Sequence, residues 1–153
     1  FSKFHMEASV QRLSSDGKDG LRCLIRHPAG DFVLWCVHPA PPFLPGMARC
    51  QRAEFAELKR RLEAEEAPAI VTGDFNSAPW ARPFGDFFFF FSVWAEGHGF
   101  GTTCPAPLPA VLRIPIDHML HTGRFRTTSY EVLPYVGSDH RPILARFIPT
   151  VSK

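Results

Sequence analysis

The stretch between residues 31 and 74 changes its hydrophobic pattern several times, and the order of the patterns limits the folds open to the chain. Residues 31–37 form a β-rich apolar run. The next nine residues, 38–46, contain four prolines, a density that excludes both a helix and a central strand. Residues 47–66 repeat apolar side chains with the period of an amphipathic helix, and a short apolar strand follows over 69–72. Strand, loop, helix and strand in this order predict an α/β layered fold.

Further strands are predicted on both sides of this unit. Residues 21–27 form a second β-rich run, and a proline and a glycine within 28–30 suit the turn of a hairpin with 31–37. The later apolar runs predict three more strands, over 112–120, 129–133 and 143–148. Pro115 would place the first of these at a sheet edge or at a bulge, because proline has no N–H for the ladder.

Charge and cysteine spacing exclude several classes of function. The 153 residues include 17 Lys and Arg against 15 Asp and Glu, a net charge of +2, so no broad basic surface for non-specific nucleic-acid binding is expected. The four cysteines have no C-x-x-C spacing, which excludes a zinc knuckle and predicts free, mostly buried thiols. No apolar run reaches the ~18–20 residues of a membrane span.

Five consecutive phenylalanines, Phe87–Phe91, interrupt the alternation of polar and apolar residues. A run of identical side chains has no period that could orient it. We expect a buried helical turn or strand, with a wedge inserted between nucleic-acid bases as the alternative.

Four short polar clusters follow predicted strand ends, where open α/β sheets assemble their sites. They are His38, Asp74 with Asn76, Asp117 with His118, and Asp139 with His140. In extended backbone Asp74 and Asn76 would face one side while Phe75 points into the core. A carboxylate beside a neutral amide suits phosphate chemistry, since the acid holds Mg²⁺ or water and the amide donates to phosphate without repulsion. A Gly-Asp-Phe-Asn turn without chemistry is the alternative.

Asp117 is harder to explain as a plain loop residue. It interrupts an apolar run, where an unpaired carboxylate is costly, so the sequence predicts a partner for it. His118 and His121 are three residues apart and would lie on opposite faces of a strand, which disfavours a metal pair formed by them.

Taken in order, His-Pro at 38–39, Gly-Asp-Phe-Asn at 73–76, Ile-Asp-His at 116–118 and Ser-Asp-His at 138–140 resemble the motifs of the endonuclease/exonuclease/phosphatase superfamily. The resemblance covers roughly residues 20–148. It implies an α/β fold, α+β in some schemes, that is part of a four-layer sandwich with two mostly antiparallel sheets flanked by helices. It also implies that residues 1–153 form a single partial domain, the C-terminal portion of the family's domain.

The resemblance assigns roles to individual residues. Asp74 matches the acid that binds or orients the attacking water, and Asn76 the residue that holds the scissile phosphate. His38 matches a histidine that contacts phosphate and assists the leaving group. His140 matches the base or phosphate stabiliser, and Asp117 the acid that hydrogen-bonds it. The implied metal ligands are Asp74 and Asp139, with Mg²⁺, or alternatively Mn²⁺, as the cofactor in the hydrolysis of phosphodiesters or phosphomonoesters.

The sequence around the motifs, at 38–42 and 112–118, is most similar to a bacterial branch of the superfamily whose catalytic domain follows N-terminal membrane helices. This likeness implies a lipid-linked phosphate substrate at the extracytoplasmic face of a membrane, while a nucleic-acid substrate and a cytoplasmic location are the alternative. The sequence departs from the family in lacking its Gln-Glu metal-ligand pair upstream of His38, and Glu7 is not assigned to that role. A catalytically inactive binding or scaffold domain is therefore the rival hypothesis.

Overall fold

The computed structural model describes residues 2–82, 84–90 and 101–150, and within them two sheets account for the strands. The first sheet has five strands in the order β1-β2-β3-β4-β5, antiparallel except for the parallel pair β3–β4. The second sheet is the antiparallel pair β6–β7. The strands are β1 (Met6–Arg12), β2 (Asp19–Ile25), β3 (Phe32–Val37), β4 (Ala69–Asp74), β5 (Asp117–His121), β6 (Phe125–Val132) and β7 (Ile143–Pro149). The predicted mixed fold class, with two mostly antiparallel sheets and flanking helices, is confirmed.

The long helix α1 (Pro45–Glu63) connects the parallel strands β3 and β4. It begins at Pro45, whose fixed φ and missing N–H are tolerated in a first helical turn. The helix therefore starts inside the segment 38–46, and the prediction that this whole segment is a loop is wrong for its last two residues. Further along α1, Phe55, Leu58 and Leu62 are buried, as the apolar period predicts.

The hydrophobic core joins α1 to the five-stranded sheet. Buried residues of the cluster come from β3, β4 and β5, from α1, and from the short helix α2 (Phe84–Phe90). The second sheet meets the first around His121, whose ring centroid is 5.4 Å from that of Phe147 in β7. The main core cluster thus lies on the side of the sheet that α1 covers.

Two strand assignments from the sequence change in the structure. The predicted strand over 112–120 is wrong in its first half, because residues 110–112 form a 3₁₀ turn and only Asp117–His121 is a strand. Ile114 pairs with Cys104 as an isolated bridge. The strand β1 has no counterpart in the sequence analysis. The predicted hairpin is confirmed, since β2 and β3 pair antiparallel.

The phenylalanine run falls partly on α2, in agreement with a buried helical turn. Phe87 is 3% exposed and contacts the core, while Phe91 lies outside the described residues. All four cysteines are free, as predicted, but only Cys23 is fully buried and the other three are half-buried. Among the residues described, no helix combines the length and the apolar character needed to cross a bilayer.

Candidate active site

The parallel pairing of β3 with β4 brings the first two polar clusters together. Val37 pairs with Gly73, so His38 and Asp74 emerge side by side at the same end of the sheet. Gly73 has φ +149°, and a Cβ there would overlap the carbonyl oxygen of Val37, so only glycine allows this close approach. As a result, His38 Nε2 lies 3.6 Å from Asp74 Oδ2.

The segment after Asp74 folds into a tight turn. Asn76 donates its backbone N–H to Asp74 Oδ1 at 2.7 Å and has φ +50°, a left-handed conformation that asparagine tolerates. The expectation that Asp74 and Asn76 face one side along extended backbone is therefore wrong in its premise, because the backbone turns at Asn76. Phe75 is nevertheless fully buried, as expected. The amide of Asn76 donates to the carbonyl of Pro39 at 3.0 Å, which ties this turn to the segment carrying His38.

Asp117 lies directly opposite Asp74, because β4 and β5 pair in that register. Its partner is His140, whose Nδ1 is 2.8 Å from Asp117 Oδ2. A carboxylate only accepts, so Nδ1 carries the proton and Nε2 is left facing Asp74 Oδ2 at 3.9 Å. The partner that the sequence predicts for Asp117 is thus found 23 residues further along the chain.

The surroundings of His140 act on its pKa in opposite directions. Burial alone lowers the pKa, since it penalises the charged ring. The hydrogen bond to Asp117 and the negative charges of Asp117, Asp74 and Asp139 outweigh burial, and the pKa of His140 is raised above its ordinary value. A histidine tuned by a carboxylate at a strand end has the features of a catalytic acid or base.

Asp139 occupies a different position from the other two acids. Its side chain is exposed and accepts a hydrogen bond from Ser138 Oγ at 3.3 Å, and its carbonyl accepts the Ala106 N–H at 2.7 Å. Within the described residues, the ligand atoms that lie within 4.8 Å of one another belong to Asp74, Asp117 and His140. The role of Asp139 as a metal ligand remains a prediction, although its charge reaches His140.

The donor atoms of this cluster suit a hard divalent cation. Mg²⁺ prefers one or two carboxylates and keeps several waters, and Asp74 and Asp117 supply two carboxylates that face each other across paired strands. Asp117 uses Oδ2 for His140, and Asp74 uses Oδ1 for the Asn76 turn. Each acid thus keeps a second oxygen for other partners, so the residues present fit a divalent cation.

A cavity of about 280 Å³ opens beside these groups. Asp74, Asp117 and His140 line it together with residues to which the sequence analysis assigns no role at the site: Val136, Ser138, Arg141, Pro142 and Ile143. Arg141 is held from two sides, since its N–H donates to Thr103 O at 3.1 Å and its Nε to Ala106 O at 3.2 Å. Its place directly after the Ser-Asp-His motif is the one sequence signal that would have suggested it.

Lys18 is a second residue that the sequence analysis misses. Its Nζ lies 3.2 Å from Nδ1 and 3.1 Å from Nε2 of His38. It sits in a Ser- and Gly-containing connection between β1 and β2, far in sequence from every motif, so no spacing pattern points to it.

The two other central histidines have structural contacts. His118 is 6% exposed and donates from Nε2 to the carbonyl of Ser77 at 2.9 Å. Burial lowers the pKa of His118, because it penalises the charged form of the ring. His121 donates from Nδ1 to the carbonyl of Thr122 at 2.8 Å. Both rings therefore satisfy backbone carbonyls at the core boundary.

A two-sheet fold that gathers aspartate, asparagine and histidine side chains at one end of its strands is the deoxyribonuclease-like architecture. The chain belongs to the Endonuclease/Exonuclease/phosphatase family, whose model matches residues 1–140.

Several solved structures share this fold. An endonuclease/exonuclease/phosphatase from Beutenbergia cavernae DSM 12333 has a TM-score of 0.79 at 19% identity, over 97% of this chain and 46% of that one. A mannosyl-6-phosphatase from Bacteroides thetaiotaomicron VPI-5482 has a TM-score of 0.68 at 17% identity, over 93% and 66%. The catalytic domain of human Nocturnin with bound sulfate has a TM-score of 0.67 at 16% identity, over 96% and 60%. A search of curated protein sequences found no significant match. The chain thus spans about half to two thirds of the length of these structures.

Proposed function

We propose that the chain carries the phosphate-handling side of a phosphoesterase active site, which hydrolyses phosphodiester or phosphomonoester bonds by in-line attack of an activated water. The observation that carries this proposal is the Asp117–His140 hydrogen bond of 2.8 Å beside Asp74. Membership of the family supports the reaction class. Residues 1–153 act in this proposal as part of a larger domain, because similar structures are about one and a half to two times as long.

His140 is the centre of the proposed chemistry. Asp117 holds the Nδ1 proton and so fixes the tautomer, which leaves Nε2 to take a proton from water or, when protonated, to stabilise the charge on a phosphoryl oxygen. Asp74, 3.9 Å from Nε2, would orient the attacking water. The reacting phosphorus would then lie in front of Asp74 and the two histidines, His38 and His140, because the gaps of 3.6 and 3.9 Å between Asp74 Oδ2 and the two rings are too narrow to hold it.

Asn76 and His38 would hold the phosphate from the other side. The Asn76 side chain already donates to Pro39 O and has a second N–H for a phosphate oxygen. His38 would contact the phosphate and assist the leaving oxygen by a hydrogen bond. Mg²⁺, or Mn²⁺ in its place, would be held by Asp74 with Asp117 or Asp139, and when bound it would neutralise the charge that builds up on the phosphoryl oxygens.

The test is hydrolysis of bis-p-nitrophenyl phosphate and p-nitrophenyl phosphate with Mg²⁺, with Mn²⁺ and with EDTA. We expect a fall of at least ~100-fold in rate for His140→Ala, which removes the group that takes the proton, and for Asp74→Ala, which removes the group that orients the attacking water. The controls are Asp31→Ala and His5→Ala, which change the same residue types at the opposite end of the sheet. Unchanged rates in both active-site variants would refute the proposal, and full activity in EDTA would refute its metal dependence.

A binding or scaffold domain without catalysis is the second candidate. The observation in its favour is that Glu7, an acid upstream of His38, lies in β1 and pairs with Arg26 at 3.0 Å, at the end of the sheet away from the site. Titration calorimetry of Mg²⁺ into the chain separates the candidates. The absence of binding at millimolar Mg²⁺ favours the scaffold, while binding that is lost in Asp74→Ala favours the enzyme.

The dependence of the hydrolysis rate on salt distinguishes the two substrate classes. Hydrolysis of a nucleic acid gripped along its backbone should weaken steeply as salt rises, whereas hydrolysis of a lipid-linked phosphate should not. Rates on single-stranded DNA, RNA and a short-chain lipid phosphate, measured at low and high salt, decide between a nuclease and a lipid-phosphate phosphatase at a membrane surface.

A further inference from the structure

Lys18 reaches the candidate site from a part of the chain with no motif. Its ammonium nitrogen is nearly equidistant from the two ring nitrogens of His38, at 3.2 and 3.1 Å. An in-plane position equidistant from both would collide with the carbon between them, so the ammonium lies over the face of the imidazole. The same Nε2 atom is 3.6 Å from Asp74 Oδ2. The Lys18 ammonium therefore contacts His38, and His38 in turn lies next to Asp74, the acid proposed to orient water.

A buried carboxylate fixes this position. Glu54 on α1 is 0% exposed, and its Oε1 accepts the backbone N–H of Lys18 at 2.5 Å while its Oε2 accepts that of Ala40 at 2.8 Å. A buried charge is costly unless such hydrogen bonds compensate it. Glu54 thus ties the connection that carries Lys18 to the segment that follows His38. A Cβ on Gly17 would overlap the Glu54 carboxylate, so the chain passes close to this anchor.

The charges near Lys18 indicate a role in binding an anion. Within the described residues, its ammonium has no carboxylate within 4.0 Å, and its polar side-chain contacts are with the two ring nitrogens of His38. The neighbouring site carries Asp74 and Asp117, and these repel an incoming phosphate. An ammonium held at the rim without an acidic partner compensates that repulsion and offers three donors to anionic oxygen.

We propose that Lys18 binds a non-bridging oxygen of the substrate phosphate and works with His38 on the side of the site opposite His140. This rests on the proposed function only in taking the anion to be the substrate. Lys18 would act in binding, so its loss raises KM more than it lowers kcat. Glu54 is the positioning residue, since it acts through the backbone of Lys18.

The experiment measures inorganic phosphate binding by titration calorimetry, in the chain and in three variants. Lys18→Gln removes the charge at an exposed side chain and should leave folding intact, which circular dichroism checks. We expect phosphate to bind about 5- to 20-fold more weakly, because a charge-assisted hydrogen bond is lost and solvent screens part of its effect at the exposed Lys18 side chain. Lys18→Arg should recover most of the affinity, and Lys3→Gln, at the opposite end of the sheet, should bind like the unmodified chain.

The outcomes separate this proposal from the proposed function. Phosphate affinity within twofold of the unmodified chain in Lys18→Gln, or no phosphate binding by the unmodified chain, overturns the role of Lys18. If no phosphate ester is hydrolysed but phosphate binding still depends on Lys18, the binding proposal holds and the hydrolytic function fails. If hydrolysis occurs, a several-fold rise in KM for p-nitrophenyl phosphate with little change in kcat supports the role, and a fall in kcat alone contradicts it.

Discussion

Replacing Asp117 by Asn tests the pair on which the proposed mechanism depends. The substitution keeps the size of the side chain and an acceptor near His140 Nδ1, but it removes the negative charge. In the structure the two atoms are 2.8 Å apart, and 26% of the His140 side chain and 16% of the Asp117 side chain are exposed, so solvent screens the pair only in part. Asp74 lies 3.9 Å from the other ring nitrogen, too far for a hydrogen bond. Asp117 is therefore the main partner of His140.

The size of the effect follows from that contact. A hydrogen bond to a charged group contributes about 1.5–3 kcal/mol. If Asp117→Asn loses this contribution in the transition state, kcat/KM falls by about 10- to 150-fold, at about 1.4 kcal/mol for each factor of ten. The loss should be smaller than in His140→Ala, since the imidazole itself remains.

Asp117→Asn should also shift the pH dependence of activity. The pKa of His140 is raised in the folded chain because Asp117 and the neighbouring acids outweigh the effect of burial, so Asp117→Asn moves it down. If neutral His140 is the base, activity rises with pH through this pKa, and the rising limb shifts to lower pH in the variant. If protonated His140 stabilises phosphate, activity falls with pH through the same pKa, and the falling limb shifts to lower pH.

Stability should follow the same linkage. A raised pKa in the folded state stabilises the fold below the unfolded-state pKa of histidine, about 6.5. This stabilisation is lost as pH rises through the folded-state pKa. The difference in unfolding free energy between the chain and Asp117→Asn, measured with urea, should therefore be larger at pH ~6 than at pH ~9.

The assays are the pH dependence of kcat/KM and a titration of His140 followed by its NMR signals. Asp31→Asn is the matched control, because Asp31 pairs with Arg26 at the other end of the sheet. A pH limb that stays in place in Asp117→Asn, or moves to higher pH, refutes the assignment of the Asp117–His140 pair.

Three further substitutions test the supports of the site by urea unfolding. Gly73→Ala should destabilise the fold by about 3 kcal/mol or more, because it forces a positive φ on alanine and drives a Cβ into the backbone of Val37. Glu54→Gln should cost about 1–3 kcal/mol, because an amide group then faces one of two backbone N–H donors. His118→Leu should cost a similar ~1–3 kcal/mol by leaving the Ser77 carbonyl unpaired, while kcat of the folded chain stays unchanged.

Local sequence patterns predict the centre of the fold well. The β2–β3 hairpin, the helix and β4 follow from hydrophobic period and from the positions of proline, signals that act over a few residues. Burial of Phe75 is expected from strand alternation, and the need of Asp117 for a partner follows from the cost of burying an unpaired carboxylate. These features are local, and no distant part of the chain overrides them.

The features that escape prediction depend on contacts between distant segments. β1 is exposed at nearly every position and shows no alternation, so only its pairing with β2 makes it a strand. The left-handed turn at Asn76 is selected by bonds to Asp74 and Pro39. Lys18 reaches His38 because a carboxylate 36 residues away holds its backbone. Contacts between such distant residues cannot be predicted from a short segment of sequence.

The pairing of Val37 with Gly73 has a consequence for how this site tolerates change. His38 and Asp74 each directly follow one member of that pair, so the backbone ladder sets their separation, and the length of the chain between them does not. Residues could be added between the end of α1 and β4 without moving either side chain, because the bonds from Asn76 to Pro39 and from Ala40 to Glu54 lie outside that connection. A slip of β4 by two residues would keep every side chain on its face yet carry Asp74 about 7 Å away from His38. The site is thus insensitive to insertions after α1 but intolerant of a change in strand register.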